Sequence, residues 1–184
     1  MQTGYRIFLA FALAAALGEP VLGQTKDKGV ADVGTGIAIV LPVAAVGISY
    51  YKDDWTGIEQ LALVTGATVG TALILKQVVR EQRPDHSDWQ SFPSDTAALA
   101  FAPAQYLWDR YGWQYGLPAY AAAGFVGYSR VVSDEHHWWD VATSAGMAWG
   151  YSYLFTSRYH LPYNLNTGIY VTPSAAFVSL HYSW

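Results

Sequence analysis

The sequence predicts an all-α protein: a helical bundle of about five to six mostly apolar helices, membrane-embedded, with a short C-terminal β-hairpin-like tail. Three observations predict it. Apolar segments of helical length recur, separated by short polar connections. Small residues punctuate these segments. The C-terminal stretch changes to period-two alternation, the mark of extended chain.

The elements follow in order. Arg6 supplies a positive start and Ile7 to Leu17 a short apolar run, with Val21-Leu22-Gly23 ahead of Gln24. Residues 1–23 therefore read as a signal peptide, or as an uncleaved first membrane helix of the same polarity. The run falls short of the ~20 residues a span needs, which favours the signal. Residues 24–160 form the expected bundle. Val33 to Tyr51 carries no charge before Lys52, and Pro42 is expected to kink it. Gly57 to Val79 ends in a basic turn; Thr96 to Trp108, Tyr111 to Ser129 and Val141 to Ser157 complete the set. Gly66, Gly70, Ala97, Ala98, Ala121 to Gly124, Ala145 and Gly146 let helix backbones approach closely, as membrane helices do. A tightly packed soluble bundle would also use alanine, as a good helix former. In the tail, residues 161–184, Gly168 to Val171 and Phe177 to Trp184 flank Thr172-Pro173-Ser174, a hairpin pattern.

Composition narrows the function. Apolar residues make up 52% and charged residues 13%, yet the mean hydropathy of +0.13 leaves both a membrane bundle and a very apolar soluble one open. There is no cysteine, so disulfides, thiol catalysis and thiolate metal sites are excluded. A net charge of -4 gives no reason to expect nucleic acid.

The polar residues gather in two places, Lys76 to Ser94 and Ser129 to Asp140. If successive helices alternate direction, both clusters and four helix ends meet at one end of the bundle. In the first cluster, Lys76 and Arg83 stand two helical turns apart with Arg80 between them; a helix continuing through them would put all three cations on one side. Cations so fixed suit an oxyanion, Arg by bidentate bonding and Lys as a point charge. A solvated basic helix end that complements the dipole is the plainer alternative. In the second cluster, His136 and Asp140 are four apart at a helix start, a spacing that sets a carboxylate beside an imidazole nucleophile or base. His136, His137 and Asp140 are also metal-ligand types, but nothing else supplies a matching pair, so no metal and no cofactor is expected.

Together the clusters resemble the signature of the type 2 phosphatidic acid phosphatase superfamily, which includes lipid phosphate phosphatases, bacterial acid phosphatases and vanadium haloperoxidases. Lys76, six residues, then Arg83-Pro84 matches the first motif; Ser129-Arg130, five residues, His136, three residues, Asp140 matches the third. The resemblance spans roughly Gly57 to Ser157. It implies a metal-independent phosphatase in which His136 is the nucleophile and Asp140 orients it. Lys76, Arg83, Ser94 and Arg130 would bind the phosphate. The implied partners are a lipid phosphate or other phosphorylated small molecule, and the membrane. The implied location is the bacterial cell envelope: the inner membrane with the site facing the periplasm, or the periplasm itself.

The middle motif departs from the family's Pro-Ser-Gly-His. Here it is Pro93-Ser94-Asp95-Thr96, and Thr96 stands where the general-acid histidine is expected. A hydroxyl cannot readily protonate a leaving alkoxide near neutral pH, and loss of an acid costs ~10²–10⁴-fold. Asp95, Thr96 itself, His86 and His137 are the possible substitute acids. Asp95 also brings negative charge toward the phosphate unless it is paired. The competing function is a catalytically impaired member that binds an anionic headgroup or has a structural role. A haloperoxidase-like site ranks last, because the second histidine is missing.

Overall fold

The computed structural model describes residues 26–159, 164–172 and 175–183. The expected signal at residues 1–23, the Pro173-Ser174 turn and Trp184 lie outside them. Five helices come first: α1 (Lys26–Tyr51), α2 (Trp55–Val78), α3 (Asp95–Tyr111), α4 (Trp113–Val132) and α5 (Trp138–Phe155). Two antiparallel strands follow, β1 (Asn164–Thr172) and β2 (Ala175–Ser183), with Asn164 opposite Ser183 and Thr172 opposite Ala175.

Helices α2 and α3 each begin where a polar side chain accepts from the first turn. Asp54 caps α2 by accepting the Gly57 N–H at 2.9 Å, and Ser94 caps α3 by accepting the Ala97 N–H. Gly112 joins α3 to α4 at a φ of +93°, a conformation only glycine adopts freely. Pro42, Pro103 and Pro118 all sit inside helices.

Helix α3 is the axis of the bundle. It packs on α1, α2, α4 and α5, whereas α4 and α5 barely touch. It is alanine-rich on all sides, and Ala97, Ala98, Ala100, Ala102 and Ala104 are all fully buried. With no side chain beyond Cβ, these positions let four helices close on one.

The outside of the bundle is apolar. Val40, Val43, Leu63, Ile74, Leu117, Tyr153 and Leu154 are all exposed. Two helices, Lys28–Tyr51 and Trp55–Val78, are long and apolar enough to cross a membrane, and only 28% and 22% of their most apolar 18-residue stretches is buried. A soluble core helix of that composition would be mostly buried. The 26 residues of α1 reach about 39 Å, enough for a hydrocarbon core of ~30 Å. Exposed aromatics mark both ends: Tyr51, Trp55 and Trp113 at one, Trp89, Trp138 and Trp139 at the other. That is the aromatic belt of a membrane bundle.

The end formed by the α1–α2 and α3–α4 connections is tied by a buried ion pair. The Arg110 Nε donates to Asp54 Oδ2 at 2.7 Å, and Tyr111 donates to the same oxygen. The Arg110 Nη1 also donates to the Ser157 carbonyl after α5. Burial pushes the Asp54 carboxyl up, but the bonds from Arg110, Tyr111 and the Gly57 amide outweigh it, and the net direction is down. Removing one partner of such a pair leaves a buried charge uncompensated, which costs ~3–5 kcal/mol. Asp54→Ala is therefore expected to lower the thermal midpoint of the detergent-solubilised protein by several degrees. A midpoint within about one degree of the parent would show that the pair does not hold this end together.

Candidate active site

At the opposite end, two loops meet the starts of α3 and α5. The first runs from Val79 to Ser94. Helix α2 stops at Val78, so Lys76 lies in its last turn and Arg83 lies in the loop. The expectation of one continuous helical face for Lys76, Arg80 and Arg83 is therefore corrected, because the chain turns extended at Val79. Arg83 is held instead by Asp88: its Nε donates to Asp88 Oδ1 at 2.9 Å, and its backbone N–H donates to the Asp88 carbonyl. The second loop, between α4 and α5, is stitched to the first by the Asp85 N–H donating to the Asp134 carbonyl at 3.1 Å. The predicted convergence of four helix ends is what the structure contains.

Ser91 is the junction. Its N–H donates to the Glu81 carbonyl. Its hydroxyl donates to Asp140 Oδ2 at 2.6 Å. Its carbonyl lies 2.7 Å from His136 Nδ1. A carbonyl can only accept, so Nδ1 carries a proton and donates it here. Asp140 Oδ2 is 3.6 Å from the same Nδ1, so the carboxylate supports the ring by charge and through Ser91. His136 is 2% exposed and Asp140 fully buried. Asp140 Oδ1 has no hydrogen-bond partner, leaving a bare carboxylate oxygen buried near the imidazole.

Burial raises the Asp140 carboxyl's affinity for a proton. The His136 ring 3.6 Å away and the bonds from the Ser91 hydroxyl and the His137 amide outweigh it and hold the group below its usual range.

The remaining predicted residues divide. Lys76 is buried; its Nζ donates to the Gln90 carbonyl at 2.8 Å and pairs with Asp95 at 3.2 Å. Asp95 is thus a counter-ion, and the feared repulsion is met by pairing. Ser94 is buried at the α3 start, its N–H toward the Asp140 carbonyl at 3.5 Å and its own carbonyl accepting from Ser144 at 2.7 Å. Thr96 is half-buried in the first turn of α3. Arg130 is buried, and its guanidinium is committed to Glu135 at 2.8 Å and to the Ala31 carbonyl of α1. His86 is exposed at the tip of the first loop. His137 caps α5 and stacks on Trp139 at 4.3 Å. Its Nδ1 faces Ser91 Oγ at 3.3 Å, Asp140 Oδ2 at 3.5 Å and Glu81 Oε1 at 3.8 Å.

Glu81, His137 and Asp140 bring ligand atoms within 4.8 Å of one another, the spacing of a cation site. Those atoms already serve hydrogen bonds: Asp140 Oδ2 accepts from Ser91 and the His137 N–H, and Glu81 Oε1 accepts from Trp139 Nε1 at 2.8 Å. Ser91 and Glu81 went unnoticed in the sequence. The only signal for Ser91 is its place immediately before Phe92-Pro93-Ser94.

The PAP2 superfamily model matches residues 59–164, which hold both polar clusters. The chain belongs to the PAP2 superfamily. A relative, the lipid A 4'-phosphatase of Helicobacter pylori strain J99, is 35% identical over 130 residues, covering 65% of this chain and 66% of that protein. Among solved structures, LpxE of Aquifex aeolicus aligns with a TM-score of 0.59 at 21% identity, over 70% of this chain and 81% of that one. That likeness is one of fold.

The depressed Asp140 carboxyl has a consequence for stability. Its contribution is fully present above the ordinary carboxylate value of 3.8 and is lost as pH falls through the lower folded value. Asp140→Asn is therefore expected to make the loss of thermal stability below about pH 4 shallower than in the parent. An unchanged acid-side slope would contradict the assignment.

Proposed function

We infer that this PAP2 member is a metal-independent phosphatase or phosphotransferase acting on a lipid phosphate or diphosphate through a phosphohistidine. The observation that carries the reading is the His136 ring, with Nδ1 bound to the Ser91 carbonyl and 3.6 Å from the buried Asp140, so that Nε2 is the nitrogen those contacts leave for attack. His136 Nε2 attacks phosphorus and the bond to the leaving oxygen breaks. Water then attacks the phosphohistidine, releasing phosphate and restoring the ring. Phosphorylation at Nε2 makes the ring cationic, and the nearby carboxylate of Asp140 favours that charge. Lys76, Arg83, Ser94 and Arg130 are the phosphate-binding residues. The Arg130 guanidinium donates to Ser129, Glu135 and the Ala31 carbonyl, and its second N–H on each terminal nitrogen is left for phosphate.

The leaving oxygen still needs a proton. Of the possible substitutes, Asp95 is engaged by Lys76 and His86 is exposed, whereas His137 shares Asp140 with His136. A diphosphate or aryl leaving group needs little help, which suits a site with Thr96. The lipid substrate is supported by the apolar exterior and by the relative that acts on lipid A. The same features support the bacterial inner membrane, and we propose that the site faces the periplasm. A catalytically impaired headgroup binder is the alternative, and Thr96 is the observation that favours it.

The test is phosphate release by the detergent-purified chain from phosphatidic acid, an isoprenyl diphosphate and an aryl phosphate. Release that vanishes with His136→Ala supports the reading. Thr96→His is expected to raise release from phosphatidic acid by at least about tenfold while changing the aryl phosphate little. Absence of release by folded protein from every substrate would favour the impaired alternative.

A further inference from the structure

Helices α4 and α5 stand apart across α3. A cavity of about 470 Å3 opens there, lined by Gln105, Trp108 and Asp109 of α3, Leu117 and Tyr120 of α4, and Trp149 of α5. It lies away from His136. Asp109 stands about 21 Å along α3 from Asp95, at ~1.5 Å per residue, and Asp95 pairs with Lys76 at the active-site end. We propose that this cavity binds the ammonium headgroup of a membrane lipid from the leaflet opposite the active site. The proposal needs the membrane-embedded bundle but not the phosphatase reading.

Three observations carry it. The first is charge. Asp109 Oδ2 accepts from two neutral groups, Gln105 Nε2 at 2.9 Å and Ser152 Oγ at 2.7 Å, and Asp109 makes no ion pair among the described residues. The cations of this end are placed elsewhere. Arg110 pairs with Asp54, Lys52 lies over the rings of Tyr111, Tyr115 and Tyr159, and Arg158 lies beside Gly112. An acidic side chain within a membrane bundle is costly without a positive partner, and such residues mark ligand and ion sites. The second is the wall. Trp108 and Trp149 are both exposed, and an indole attracts a cation over its face. Trp108 meets Tyr120 edge to face at 5.9 Å, and the Tyr120 hydroxyl donates to the same Gln105 that donates to Asp109, so rings and carboxyl group are held together. The third is depth. Asp109 lies in the last turn of α3, next to Trp113 of the aromatic belt, which is the level of lipid headgroups. Leu117 and Trp149 are apolar and exposed, and so give the adjoining chains a surface to lie on. The volume is in the range of small-molecule sites. An anionic headgroup without an amine would meet Asp109 with like charge. The competing account of the tryptophans is that of belt anchors alone, which would serve every lipid alike.

The experiment titrates the full chain, Asp109→Asn and Trp149→Ala in non-ionic detergent with two lipids of identical chains, phosphatidylethanolamine and phosphatidylglycerol, and reads bound lipid by native mass spectrometry. The parent is expected to bind the ethanolamine lipid about tenfold more tightly, the size of one charge-assisted contact. Asp109→Asn keeps an acceptor for Gln105 and Ser152 and is expected to bring the two lipids within about twofold of each other. Trp149 is exposed, so Trp149→Ala leaves the core packing intact and tests the same site independently. It is expected to weaken the ethanolamine lipid about fivefold and the glycerol lipid by less than about twofold. Equal binding of both lipids by the parent, or a preference that both variants keep, would overturn the proposal. An N-acetylated ethanolamine lipid has lost the positive charge and is expected to bind like the glycerol lipid; binding as tight as the free amine's would also overturn it. Soluble glycerophosphoethanolamine carries the same amine without chains. Binding of it as tight as the lipid's would assign the site to a free amine and overturn the lipid assignment.

Discussion

A carbonyl oxygen can only accept a hydrogen bond, so the 2.7 Å contact between Ser91 and His136 Nδ1 decides which ring nitrogen carries the proton. That one backbone group faces inward because its own residue is fastened on both sides. The Ser91 N–H is bound to the Glu81 carbonyl and its hydroxyl to Asp140. Residue 91 thus couples the loop after α2 to the first turn of α5, and the geometry of the histidine follows from that coupling. Asp140 completes it: it is fully buried, with one oxygen bonded and the other bare, 3.6 Å from Nδ1 of the ring.

The rest of the bundle keeps these short contacts in place. Alanines on α3 allow α1, α2, α4 and α5 to close around it, which sets the start of α3 between the two loops. Gly34 of α1 lies so close to Ser129 that a Cβ there would fall 1.9 Å from the serine oxygen. This close approach brings the Ala31 carbonyl to the Arg130 guanidinium. At the far end, Arg110 ties the α1–α2 turn to the chain leaving α5 through Asp54 and Ser157.

Much of this was legible in the sequence, for reasons that differ by element. The helices were readable because long apolar runs with few charges allow little else, although α1 began earlier than Val33, at Lys26, where charged residues start the helix outside the apolar run. The strand pair was readable from alternation, and β1 extends further back, to Asn164. The meeting of the two polar clusters followed from alternating helix direction alone. The failure at Arg83 has a local cause: the Lys76–Arg83 spacing fits a helix, but the chain leaves α2 after Val78 and the loop turns on Asp88 instead. Ser91 was invisible because its principal contact is made by a backbone carbonyl, which every residue possesses. Likewise no spacing rule reveals that Asp95 faces Lys76, a contact between the end of one helix and the start of another.

The central claim is that Ser91 fixes the tautomer of His136 and so exposes Nε2 for attack. The direct measurement is the position of the phosphoryl group on the trapped intermediate, obtained by rapid denaturing quench after mixing with an aryl phosphate and read by phosphorus and nitrogen NMR of the labelled protein. The account predicts phosphorylation of His136 at Nε2. A phosphoryl group on Nδ1 of His136, or on any other residue, would contradict it.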